Sequence, residues 1–188
     1  YDAALRQAEQ MLADGAAILD IGGESTRPGA ADVSAQDELE RVVPVIEAIR
    51  QRFDSAISID TSKAVVMSAA VQAGADIIND VRALLEPGAL EAAVKARVPV
   101  CLMHMQGAPR SMQQAPQYQD VVAEVKQFLL ERAQLCEQAG VVKQNIILDP
   151  GFGFGKSLTH NYVLLQQLQQ FADSGYPLLA GMSRKSML

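Results

Sequence analysis

Residues 56–80, AISIDTSKAVVMSAAVQAGADIIND, hold one complete structural unit. Ala56–Ile59 is a short apolar run, Lys63–Ala73 places apolar residues at helical spacing, and Gly74 ends that pattern. Ala75–Asn79 is apolar again. A strand reached through a helix rather than a tight turn predicts a parallel pair joined by a crossover.

The same alternation continues on both sides. Before it, residues 2–14 place Ala4, Leu5, Ala8, Met11 and Leu12 on one helical face, and Gly15 precedes an apolar run at Ala16–Ile21. Ser34 with Asp37 forms a capping-box signature. It opens a helix striped by Leu39, Val42, Val43, Ile46 and Ile49, with a kink expected at Pro44. After it come a helix at about 87–96 opened by Pro87, a strand at Val98–Met103, and a helix at Asp120–Ala139. That last helix turns Val121, Val125, Leu129, Leu135 and Cys136 inward and is closed by Gly140. A strand at Asn145–Leu148, a helix at about 159–172 and a strand at Leu178–Gly181 complete the pattern.

Continuously apolar strands, each reached through a helix, indicate an α/β fold with a covered parallel sheet. Six strands would fill an open doubly wound sheet, whereas an eight-stranded barrel takes about 250 residues. The chain has 188 residues, starts at Tyr1 rather than Met and stops at Ser186-Met187-Leu188 as a new element would begin. It is therefore read as an internal segment: a (β/α)8 TIM barrel truncated at both ends. One strand would precede it, and a helix, a strand and a helix would follow. Neither repeats nor a linker divide it, so residues 1–188 are read as a single domain.

Composition narrows the function. Hydrophobic residues make up 49% of the chain, enough for a core. Sixteen Lys and Arg against twenty-two Asp and Glu leave a net charge of −6, which excludes a broad basic surface for nucleic acid or anionic membrane. No apolar run is long enough to span a bilayer. Cys101 and Cys136 are too few for a disulfide framework and read as reduced and buried. The expected location is the cytoplasm.

The chemistry sits at the ends of strands, where parallel α/β folds bind ligands. Those positions read Asp20–Gly29, Asp60-Thr61-Ser62-Lys63, Asn79-Asp80, Met103-His104-Met105, Asp149–Lys156 and Gly181–Ser186. Each has an innocent explanation. Asp60, Thr61 and Ser62 can cap the next helix, Asp149-Pro150-Gly151 can be turn chemistry, and His104 can be a satisfied core histidine. Arg184 and Lys185 can be solvated. Together the innocent readings weaken, because burying repeated carboxylates costs several kcal/mol each unless partners arrive. Asp60, Asn79 and Asp149 offer acceptors and an amide to a heterocycle with an amidine-like edge, and Lys185 suits its carbonyl. Residues 151–156 match neither GxxxxGK[ST] nor GxGxxG, so their glycines are read as letting the loop and the Phe152 or Phe154 ring approach a ligand closely.

The segments DIGGESTRPGA, SIDTSK, IIND, LMHMQG, LDPGFGFGK and GMSRKS, in this order, resemble the bacterial dihydropteroate synthases over essentially the whole chain. The resemblance implies an eight-stranded barrel, usually a homodimer, and a sulfonamide target. Such an enzyme joins 6-hydroxymethyl-7,8-dihydropterin pyrophosphate to p-aminobenzoate, giving 7,8-dihydropteroate and pyrophosphate. It assigns pterin binding to Asp60, Asn79, Met103, Asp149, Gly181 and Lys185. It assigns p-aminobenzoate binding to Thr26, Arg27, Pro28, Phe154 and Ser186. Asp60, Lys185 and Arg27 become the catalytic residues, with Arg27 also touching pyrophosphate.

Mg2+ is the implied cofactor, with its ligand upstream of Tyr1, and an Arg and a His that bind pyrophosphate are expected beyond Leu188. The segment alone is therefore expected to be inactive. The pterin-binding methyltransferases share the implied barrel, but GMSRKS and STRPG favour the synthases. A non-catalytic pterin-binding module and a ligand-free structural barrel are the remaining readings.

Overall fold

The computed structural model describes residues 1–26, 31–107, 116–183 and 185. Helices α1 (Asp2–Ala13), α2 (Ala35–Arg52), α3 (Ala64–Ala73), α4 (Ala89–Ala96), α5 (Val121–Ala139), α6 (Leu158–Gln166) and α7 (Gln169–Ala172) alternate with strands. The strands are β1 (Ile18–Gly22), β2 (Ala56–Asp60), β3 (Ile77–Asp80), β4 (Val100–Met103) and β5 (Ile146–Asp149).

Helix boundaries follow local chemistry. Ser34 caps α2, its hydroxyl accepting from the Asp37 N–H at 3.1 Å, and α2 runs unbroken through Pro44. Asp120 caps α5 by accepting from Val122 and Ala123, and left-handed Gly140 (φ 109°) ends it. The inward faces depart from the predicted stripes at two places. Glu38 is fully buried on α2 where Leu39 and Val43 are half-buried, because Lys63 reaches across to pair with it. On α5 Leu135 is 45% exposed, and Ala133 with Cys136 faces the core instead.

The five strands are all parallel and hydrogen-bond in the order β1-β2-β3-β4-β5. A doubly wound sheet reverses its order at a switch point. Here each crossover adds the next strand on the same side, so right-handed connections bring every helix to one face. This is the wall of a (β/α)8 barrel. Leu19, Ile57, Ile59, Ile78, Leu102, Ile146 and Leu148 face the helices and are almost completely buried. The expectation from the continuously apolar strands, a sheet covered on both faces, does not hold: the opposite face lines the barrel interior.

The expected sixth strand at 178–181 is reduced to a single parallel bridge between Leu148 and Leu178. Two hydrogen bonds flank it: Leu148 N–H to Pro177 O and Leu179 N–H to Leu148 O, each 2.9 Å. Proline supplies no donor and Gly181 weakens strand propensity, so the ladder does not extend. The helix expected over 159–172 is broken into α6 and α7 at Gln167 and Leu168. Pro87 lies ahead of α4, whose N-cap is left-handed Gly88 (φ 78°).

Candidate functional site

Strand register builds the site in rows. Ser58 stands beside Asp20 and Ile77, and Asp60 pairs with Gly22 on one side and Asn79 on the other. Asn79 pairs with Cys101, Cys101 with Ile147, and Met103 with Asp149. Side chains alternate along each strand, so these positions share the inner face. They open onto one cavity of about 350 Å³. Asp60, Asn79, Met103, Asp149, Gly181 and Lys185 all line it, and so do Thr26 and Phe154. Arg27, Pro28 and Ser186 lie outside the described residues.

The electrostatics are those of carboxylates crowded together at the strand ends. Burial, reinforced by the charges of Asp20, Asp80, Glu38 and Glu24, pushes Asp60 up to about 7. Burial also raises Asp149 to about 6, opposed by the Gly151 N–H donated at 2.8 Å and by Lys185 and Lys156. Asp20 is raised by burial, although the Ser58 hydroxyl and the Asn79 amide (3.4 Å) both donate to it. Burial lowers Lys185, against the pull of Asp149 and Asp60. Its ammonium donates to Phe152 O at 2.8 Å and stands 3.9 Å from the centre of the Phe154 ring. Three carboxyls and an amide thus share with a cation a cavity walled by Ile77, Cys101 and Ile147.

Capping is not what Asp60 does: the N-cap of α3 is Lys63, and Thr61 supplies the turn bond by accepting from Lys63 N–H. His104 is buried and held neutral, pushed down to about 3 by burial and by Lys156, with Phe128 edge-on at 5.1 Å. It does not line the cavity.

Asp20, Ser58 and Ile147 line the cavity without a role having been assigned from sequence. The signal was period-two spacing: Ser58 precedes Asp60 by two residues and Ile147 precedes Asp149 by two. Asp20 is also the one charged side chain in β1. Glu24 was missed for another reason. It accepts from Val33 N–H at 3.1 Å and pairs with Lys63, tying the loop after β1 to the start of α3, a contact with no local pattern.

Fold and site together define a (β/α)8-barrel protein with a polar cavity at its strand ends. The family model for pterin binding enzymes matches residues 1–188. Dihydropteroate synthase of Haemophilus influenzae is 62% identical over 187 residues, covering 100% of this chain and 68% of that protein. Among solved structures, Yersinia pestis dihydropteroate synthase in a sulfonamide drug complex superposes with a TM-score of 0.97 at 57% identity. The match covers 99% of this chain and 68% of that one. The enzyme from Xanthomonas albilineans in complex with 7,8-dihydropteroate superposes at 0.89 with 48% identity, covering 98% and 65%. The chain belongs to the pterin-binding enzymes, and among them to the dihydropteroate synthase family. It spans about two thirds of the length of these relatives.

Proposed function

We propose that the cavity receives the pterin ring of 6-hydroxymethyl-7,8-dihydropterin pyrophosphate, and that the enzyme joins it to p-aminobenzoate, yielding 7,8-dihydropteroate and pyrophosphate. One observation carries this reading: Asp60, Asn79, Asp149 and Lys185 converge on a single cavity. Adjacent N–H donors on the pterin pair with a carboxylate in a bidentate, charge-assisted way, and Asp149 stands ready for that edge. Lys185 faces the ring carbonyl. Phe154 and Thr26 on the rim line the same space and suit the benzoate ring. The solved relative carrying 7,8-dihydropteroate supports the pairing of both rings in one site.

In the reaction the bond between the exocyclic methylene carbon and the pyrophosphate oxygen breaks, and pyrophosphate leaves with the electron pair. The pterin delocalises the resulting positive charge, and ionised Asp60 stabilises it. The neutral aromatic amine then attacks the methylene carbon, forming a C–N bond, and loses one proton to solvent. No strong base is needed, so the protein contributes positioning and electrostatics. The Mg2+ that the resemblance implies has its expected ligand upstream of Tyr1; among the described residues no group of three or more His, Cys, Asp or Glu side chains is placed to hold a metal ion. Arg27, which lies outside the described residues, is assigned to the leaving pyrophosphate by the family resemblance.

The same reading makes the whole enzyme a cytoplasmic homodimer and a sulfonamide target; the drug complex of the Yersinia pestis relative supports the last point. No helix among the described residues is long and apolar enough to cross a membrane.

Calorimetry on the full-length protein tests the assignment. p-Aminobenzoate should bind only once pyrophosphate or the pterin substrate is present, and dihydropteroate should form. Pterin binding without product would favour a non-catalytic binding module and overturn the reading.

A further inference from the structure

Lys156 ends the glycine-rich loop between β5 and α6, and it does not line the cavity. It is 3% exposed, yet its ammonium is fully partnered. It donates to Gly151 O at 2.9 Å, Phe154 O at 3.0 Å and His104 O at 3.2 Å, and His104 Nδ1 lies 3.0 Å away. Burial pushes this ammonium down to about 7, opposed by Asp149. Four acceptors around one nitrogen replace the lost hydration and reward the charged form. The neutral His104 ring then accepts at Nδ1.

The acceptors belong to two separate segments, the end of β4 and the β5–α6 loop, and these pack without room to spare. A Cβ on Gly151 would come within 1.9 Å of His104 O, and one on Gly155 within 2.4 Å of Gln106 O. The loop so held presents Phe152 O and the Phe154 ring, the two groups that Lys185 contacts. A Cβ on Gly153 would meet the Lys185 stem at 2.9 Å, so loop and cation share one surface.

We propose that Lys156 is a positioning residue: an internal cation that locks the β5–α6 loop onto the end of β4 and thereby sets where the Lys185 ammonium stands. The proposal rests on the cavity reading above, since Lys185 matters to turnover only if the cavity takes the ring.

A double-mutant cycle in the full-length enzyme tests it. Lys185→Ala should lower kcat/KM for the pterin substrate about 100-fold, and Lys156→Met about 20-fold while the fold is retained by circular dichroism. The double variant should fall within about threefold of Lys185→Ala alone, because Lys156 acts through Lys185. Losses that multiply in the double variant would show a purely structural role and overturn the proposal while leaving the cavity reading intact. A Lys185→Ala enzyme with undiminished kcat/KM would overturn both. Should Lys156→Met fail to fold, Lys156→Gln, which keeps two N–H donors on a stem of similar reach, enters the same cycle under the same criterion.

Discussion

Asp60 holds its proton up to about pH 7 in the folded protein, whereas an unfolded chain releases it near the ordinary value of 3.8. The native state therefore binds the extra proton between those values, and raising pH through that window weakens the fold, by at most about 1.4 kcal/mol per unit. On the reading proposed above, the ionised form of Asp60 meets the developing cation at the cavity. We predict that Asp60→Asn in the full-length protein raises the melting temperature at pH 8 by several degrees, worth about 1–2 kcal/mol, and flattens the stability profile between pH 4 and 7. Its kcat/KM should fall at least about 100-fold. Thermal melts across pH and steady-state kinetics check both; a variant no more stable than the parent at pH 8 would contradict the assignment. Asp60, Asn79 and Asp149 were legible in the sequence because each is a polar residue closing an apolar run. Lys156 was not, because three of its four partners are a histidine carbonyl and two loop carbonyls, which no residue type announces.

The β5–α6 loop depends on three glycines with left-handed backbone, Gly151, Gly153 and Gly155 (φ 71°, 78° and 61°). They were read as letting the loop and the Phe152 or Phe154 ring approach a ligand; what approaches them is the end of β4 and Lys185, and of the two rings Phe154 lines the cavity while Phe152 is buried. Gly151→Ala would place a methyl inside His104 O and strain φ, so we predict a loss of about 3 kcal/mol or more with product formation abolished, read by chemical denaturation and turnover. At α2, Ser34→Ala should cost about 1 kcal/mol with activity little changed, because the cap satisfies only the helix end. Helix boundaries were legible wherever a cap residue stood at the terminus, as at Ser34, Asp120 and Gly140. Inward faces were less so. Glu38 is buried only because Lys63, far away in sequence, neutralises it, and periodicity alone puts a carboxylate outside. The strand expected at 178–181 failed because apolar composition does not supply a ladder, which needs backbone donors that proline lacks.

The order β1-β2-β3-β4-β5 was legible only as an expectation, since alternation of helix and strand fits a barrel and an open sheet alike. Direction of winding decides, and that is a property of the assembled sheet. The inner face of this wall carries apolar side chains toward the cavity, Ile18 being 48% and Leu179 38% exposed. Residues 1–188 produced alone should therefore bind a fluorescent apolar dye such as anilinonaphthalene sulfonate and give no detectable dihydropteroate; normal turnover by that segment would contradict the prediction. The central claim is that one cavity grips a pterin by its amidine-like edge. Calorimetric titration of 6-hydroxymethyl-7,8-dihydropterin pyrophosphate into the full-length protein and its Asp149→Asn variant tests it most directly. Loss of the bidentate carboxylate should weaken binding at least about 30-fold, close to 2 kcal/mol. Equal affinity in the two proteins would contradict the account.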